Sequence, residues 1–221
     1  MNLMAVISFL MLGFRAVDRK ALLLYNYLHG IESLVRCQVQ FSHYKNMPLQ
    51  LAVDLVNSLD VVDNLETLDV EAVSGMLDRA EIDSPPETTE ADLVAVHALR
   101  ARVRQVFEST TIEGAAESVN KILQHAHAVP FVGIHGMGPH LHVAPRKSDP
   151  AGWLGAEIGM GLAELVCHYG TDRFGVCSAD DCRDVFIDTS RNHSRKHCSD
   201  RCTNREGVRS FRKRASETGG A

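Results

Sequence analysis

Two close pairs of cysteines dominate what this chain can fold into. Cys177 and Cys182 have four residues between them, Cys198 and Cys202 have three, and fifteen residues separate the pairs. Two such pairs in one polar segment, CSADDCRDVFIDTSRNHSRKHCSDRC, supply the four soft donors of a tetrahedral zinc site. A closed set of four thiolates leaves no position for water or substrate, so the expected ion is one structural Zn2+ that holds a small fold together. The alternatives are a histidine, His193 or His197, in place of one thiol, or four unrelated buried or disulfide-bonded cysteines.

The residues between the pairs set the local expectation. Val185-Phe186-Ile187 has strand character, 191–194 (Arg-Asn-His-Ser) reads as a turn, and Ser199-Asp200 opens a helix running to about Arg214. Cys198 and Cys202 then sit one turn apart at the helix start, where free amides and the helix dipole favour thiolates. A knuckle, a hairpin and a helix carrying the second pair describe a treble-clef-like finger.

The pattern C-x4-C, then Phe186, Asp188, Ser190 and Asn192, then Cys198, Ser199, Cys202, Asn204 and Arg205 resembles the CGNR-type zinc finger. The motif that names those fingers stands here as Cys202-Thr203-Asn204-Arg205, with threonine in place of glycine. Such fingers close the C-terminus of bacterial proteins whose N-terminal part is the ABATE domain. The role assigned to that family, stress-induced transcription regulation, is itself a proposal. Upstream, Leu51-Ala-Val-Asp-Leu-Val-Asn57 looks like the opening motif of that domain. The resemblance implies a DNA partner, a zinc cofactor and a cytoplasmic protein.

Charge is distributed unevenly. From Arg191 to Arg214 nine Lys or Arg stand against Asp200 and Glu206, while the whole chain of 221 residues carries −5. An acidic body with a basic end module is the footprint of a nucleic-acid contact. On the expected helix Arg201, Arg205, Arg209 and Arg212 recur at four, four and three residues and share a stripe. With Arg195, Lys196 and Asn204 they form the expected nucleic-acid-binding set. Val208, Phe211 and Ala215 fall on a second stripe, expected to pack on the finger or the body. Cys37 and Cys167 are left as core or idle thiols, and cysteine usage points to a reducing compartment.

Leu3 to Phe14 is nearly continuous apolar sequence, but twelve residues are too few to cross a bilayer. Arg15, Arg19 and Lys20 follow the run, whereas a secretory signal places basic residues before it. No membrane partner is expected. Residues 1–46 are read as an extension whose nativeness is open, with Met47 as a start.

From there to residue 170 the chain reads as a helical, ABATE-like domain. Leu51, Leu55 and Leu59 recur every four residues in a helix over 49–60, and a second helix follows at 70–80. Thr89 and Asp92 make a near capping box for a third helix, with Leu93, Val96, Leu99, Val103 and Val106 as its buried stripe. Arg100, Arg102 and Arg104 are expected on its solvated face. A fourth helix covers 115–128. Phe131–Ile134 and Leu141–Val143 predict a hairpin around a Gly-rich turn. The last helix of the body spans 153–168, with Gly155, Ala156, Gly159, Gly161 and Ala163 leaving room for close neighbours. Asp54 and Asn57 share a helix face, and His140 and His142 share a strand face. These four are the candidate ligand pocket, although a structural role is the simpler reading of Asp54 and Asn57.

The expected fold is therefore mainly α with a short β-hairpin: a helical domain, a small zinc finger over 171–215, and a flexible tail at 216–221. Phosphate-cradling, nucleophile-elbow and zinc-protease motifs are missing from the sequence, so no enzyme is expected. A transcription regulator that places a basic finger on DNA, with a small-molecule effector in the body and a homodimeric state, is the first reading. An RNA-binding or protein-interaction module built on the same finger is the second.

Overall fold

The computed structural model describes residues 43–134 and 139–218 apart from Glu81 and Asp83, with the backbone alone at 43–46, His140, Glu217 and Thr218. Expectations for the apolar N-terminal run, Cys37, the hairpin tip and the last three residues lie outside them. The described chain is mostly helical with three two-stranded antiparallel hairpins. Helix α1 is His43–Asn57, and the short strands β1 (Leu59–Asp60) and β2 (Leu65–Glu66) pair next. Helices α2 (Val70–Arg79), α3 (Leu93–Phe107) and α4 (Ile112–His125) come after them. Strands β3 (Val129–Ile134) and β4 (Pro139–Ala144) form the expected hairpin, followed by α5 (Pro150–Tyr169). Strands β5 (Phe174–Val176) and β6 (Val185–Ile187) and helix α6 (Asp200–Thr218) build the finger.

Local chemistry sets these boundaries. Asp69, Thr111 and Asp149 each accept a backbone N–H in the first turn of α2, α4 and α5, and Pro150 stands where a helix needs no donor. Thr89 and Asp92 close a reciprocal capping box on the short 3-10 turn (Glu90–Asp92) before α3. Gly170 ends α5 at φ +59°, a conformation glycine adopts freely because it has no Cβ to clash. The chain leaves α1 before the expected Asp60. Ser58 Oγ donates to the Leu55 carbonyl, and Asp60 Oδ1 accepts from the Val62 and Asp63 amides, folding the chain into the β1–β2 turn.

Helix α5 lies at the centre, and its small residues do what their spacing suggests. A Cβ on Gly159 would stand 2.8 Å from Leu123, and one on Gly161 2.6 Å from Pro48, so α4 and α1 approach closer than any larger residue permits. Leu51 and Leu55 of α1, Val96 and Val103 of α3, Ile122 of α4 and Ile158 and Leu162 of α5 are fully buried in one core. Full burial of such side chains contributes about 1.5–3 kcal/mol each. Phe174 and Val185 of the finger belong to the same core, so the finger is rooted in the body.

Two sequence expectations need correction. Arg100 is not on a solvated face: it is buried, holds both carboxylate oxygens of Glu66 at 2.6 and 2.5 Å, and donates to Ser58 Oγ at 2.9 Å. Its partners come from the β1–β2 turn, which periodicity does not reveal. Arg104 reaches the finger and donates to the Arg183 carbonyl. Val208 and Phe211 do not pack: they are 50% and 66% exposed, on a stretch of α6, residues 207–216, that is exposed throughout.

Candidate functional site

The finger is built around four sulfurs. All four Sγ atoms of Cys177, Cys182, Cys198 and Cys202 lie within 4.8 Å of one another, with Cys182–Cys198 and Cys198–Cys202 at 3.6 Å. Zinc–sulfur bonds of about 2.3 Å in a tetrahedron require sulfurs about 3.8 Å apart, so the spacing fits. Backbone geometry prepares it: the Cys177 amide donates to the Asp184 carbonyl, the Cys182 amide to Ala179, and the Cys202 amide to Ser199 Oγ at the start of α6. Without a cation two of the thiols resist ionisation, as burial pushes Cys182 up to about 12 and Cys198 upward as well, while at Cys202 burial is outweighed by hydrogen bonds from Ser199 and the neighbouring cysteines, which hold it down. A dication offsets that cost, which ties metal binding to folding of the module. The four cysteines fit one structural zinc ion; His193 is exposed and neither histidine belongs to the cluster.

Two side chains outside the metal fasten the hairpin. Arg173, which no motif flagged, is 2% exposed, donates to the Asp188 and Ser190 carbonyls, and lies over the Tyr169 ring. Asp188 accepts from the Ser190 and Arg195 amides at 2.7 and 2.9 Å. Burial pushes the Asp188 carboxyl up, but these hydrogen bonds and Arg173 outweigh it and hold it below the ordinary range. The Asp188 and Ser190 of the family-like pattern are thus turn-holding residues, and Phe186 carries the Arg195 guanidinium over its ring.

Asn57 joins body to finger. Its amide donates to the Val185 carbonyl at 3.0 Å and accepts the Val185 N–H at 2.8 Å, pairing with β6 as another strand would. Asp54 turns away to Gln50 and Arg79 at 2.8 and 2.6 Å. His142 stacks on Phe131 in the β3–β4 hairpin, with ring centroids 5.3 Å apart, and the His140 backbone pairs with Gly133. The structure sends Asp54, Asn57 and His142 to separate partners, and the His140 side chain lies outside the described residues. It places a cavity of about 590 Å3 at the seam instead, between Leu49, Val53 and Asn57 of α1 and Val185, Ile187 and Cys198 of the finger.

The expected nucleic-acid set divides. Arg195 spends its guanidinium on the Ile187, His197 and Cys198 carbonyls. Arg205 pairs with Asp181 at 2.7 Å and donates to Cys202 Sγ at 3.3 Å. Arg209 pairs with Asp180 at 3.1 Å and Glu206 at 2.6 Å. Lys196, Arg201, Asn204 and Arg212 are exposed and carry no side-chain bond among the described residues. At about 100° per residue, Arg201 and Arg212 fall within about 20° of one another, with Val208 about 20° to one side and Arg205 about 20° to the other, so it is their partners that set Arg205 and Arg209 apart. The helix has an inner arginine edge facing the knuckle and an outer one facing solvent. Spacing alone merges the two.

Among the described residues no helix is long and apolar enough to cross a membrane. A search of curated proteins returns no match. The CGNR zinc finger model matches residues 173–215, and the model described as "ABATE: Putative stress-induced transcription regulator" matches residues 49–169. With more than half its length in that match and the finger directly after it, the chain belongs to the ABATE family and carries a C-terminal CGNR zinc finger.

Proposed function

We propose that this protein is a DNA-binding regulator of transcription, acting in the cytoplasm, whose zinc-closed finger lays the outer face of α6 against duplex DNA. The observation that carries the reading is the exposed, unpaired set Arg201, Asn204 and Arg212 on one face of a helix that stands clear of the body. Guanidinium groups at that spacing, about 16 Å apart along the axis, suit two non-adjacent phosphates or a phosphate and a guanine edge. The acidic body supports it by repelling DNA elsewhere, so that only the finger is offered. Zinc here shapes the surface and performs no chemistry.

The seam cavity supports an effector role for the body, since an occupant there touches α1 and the finger together. Its walls are largely apolar, and Asn57 and Arg195 are already spent on backbone groups, which favours an uncharged ligand. A second reading has its own observation: Val208 and Phe211 are half or more exposed on the same helix, as a protein-binding helix would have them. Titration of zinc-loaded protein with random duplex DNA, single-stranded RNA and salt separates the readings. DNA binding predicts tighter association with duplex and an affinity that falls steeply with salt. Preference for RNA, or no binding to either nucleic acid, overturns it in favour of an RNA or a protein partner.

A further inference from the structure

We propose that Arg205 is a positioning residue of the zinc centre, clamping the second cysteine pair to the loop of the first, and not a nucleic-acid contact. Arg205 lies three residues after Cys202, so both project from the same side of α6. One Nη2 atom donates to Cys202 Sγ at 3.3 Å and pairs with Asp181 Oδ1 at 2.7 Å. Asp181 sits within the four-residue loop between Cys177 and Cys182. A single guanidinium therefore joins a metal ligand on the helix to the knuckle that supplies the other two. Its Nε is buried with no partner while the side chain as a whole is 33% exposed, so the guanidinium lies against the finger with one edge still in solvent. Arg209 adds a second strap to the same loop through Asp180 and Asp181.

The charge of the site explains the choice of residue. Four thiolates around one Zn2+ leave a net double negative charge, and a cation donating to one sulfur offsets part of it. Arginine reaches both the sulfur and the carboxylate because its donors lie in a rigid planar fork, whereas lysine offers one flexible point charge. Groups that hold metal ligands in this way typically change metal affinity 10–100-fold when removed.

The test uses the zinc-loaded full chain and four variants, Arg205→Ala, Arg205→Lys, Asp181→Asn and Arg212→Ala, with zinc transfer to a chelating dye as the readout. Arg205→Ala is expected to surrender zinc about 10–100-fold more readily, Arg205→Lys and Asp181→Asn to fall between it and the parent, and Arg212→Ala to match the parent. In cobalt-loaded protein, loss of the donor to Cys202 should move the sulfur-to-metal charge-transfer band of Arg205→Ala to lower energy. Parent-like zinc retention and band position in Arg205→Ala overturn the proposal. Should that variant not fold, parent-like retention in Asp181→Asn overturns it equally. No nucleic acid enters the assay, so its outcome is separate from the DNA reading.

Discussion

Glu66 and Glu157 are one residue type in opposite electrostatic settings. The bidentate bond from Arg100 draws the Glu66 carboxyl from an ordinary 4.5 down to about 2. That stabilisation is present above about pH 4.5 and lost as pH falls toward 2, discounted because the Glu66 side chain is 38% exposed. Glu157 on α5 has only burial acting on it, which raises it from 4.5 to about 7. Its cost is absent in acid and appears as pH rises through that interval. Glu157→Gln should therefore raise stability by about 1–3 kcal/mol at pH 8 and leave it unchanged near pH 4, as read by denaturant melts. Arg100→Ala should cost about 1–3 kcal/mol at neutral pH and less in acid, since it leaves the Glu66 carboxylate without its cationic partner. Equal effects at both pH values would contradict each assignment.

Among the elements, the β5–β6 hairpin ties the molecule together. Asn57→Ala leaves the Val185 N–H and C=O without their partner, a loss of about 1–3 kcal/mol. Hydrogen exchange should quicken at Val185 while zinc content stays at one per chain; unchanged protection there would sink the pairing. Much of this was legible in the sequence. The cysteine spacing marks the ligands, because metal geometry tolerates few arrangements, and the α3 stripe and the glycines of α5 predict their own packing. What was hidden depends on partners distant along the chain. Nothing near Arg173 or Arg100 announces the carbonyls or the carboxylate that bury them, Asn57 gives no hint of Val185, and the arginines of α6 differ only by which of them face Asp180 and Asp181.

At the scale of the whole molecule, an acidic helical body and a basic finger share one core, so the finger is held in a fixed orientation on the body. Removal of zinc by a chelator should expose the amides of residues 173–206 to exchange and loosen α1 near Asn57, while α4 stays protected; an unchanged finger would count against the metal as its fastening. The central claim is that the outer face of α6 touches DNA and the inner face does not. Its most direct test is the salt dependence of duplex affinity for the zinc-loaded parent and an Arg201→Ala/Arg212→Ala double variant. The account predicts that the slope of log K against log salt shrinks by about two units, one per lost phosphate contact. A double variant with the parent's affinity and slope would contradict it.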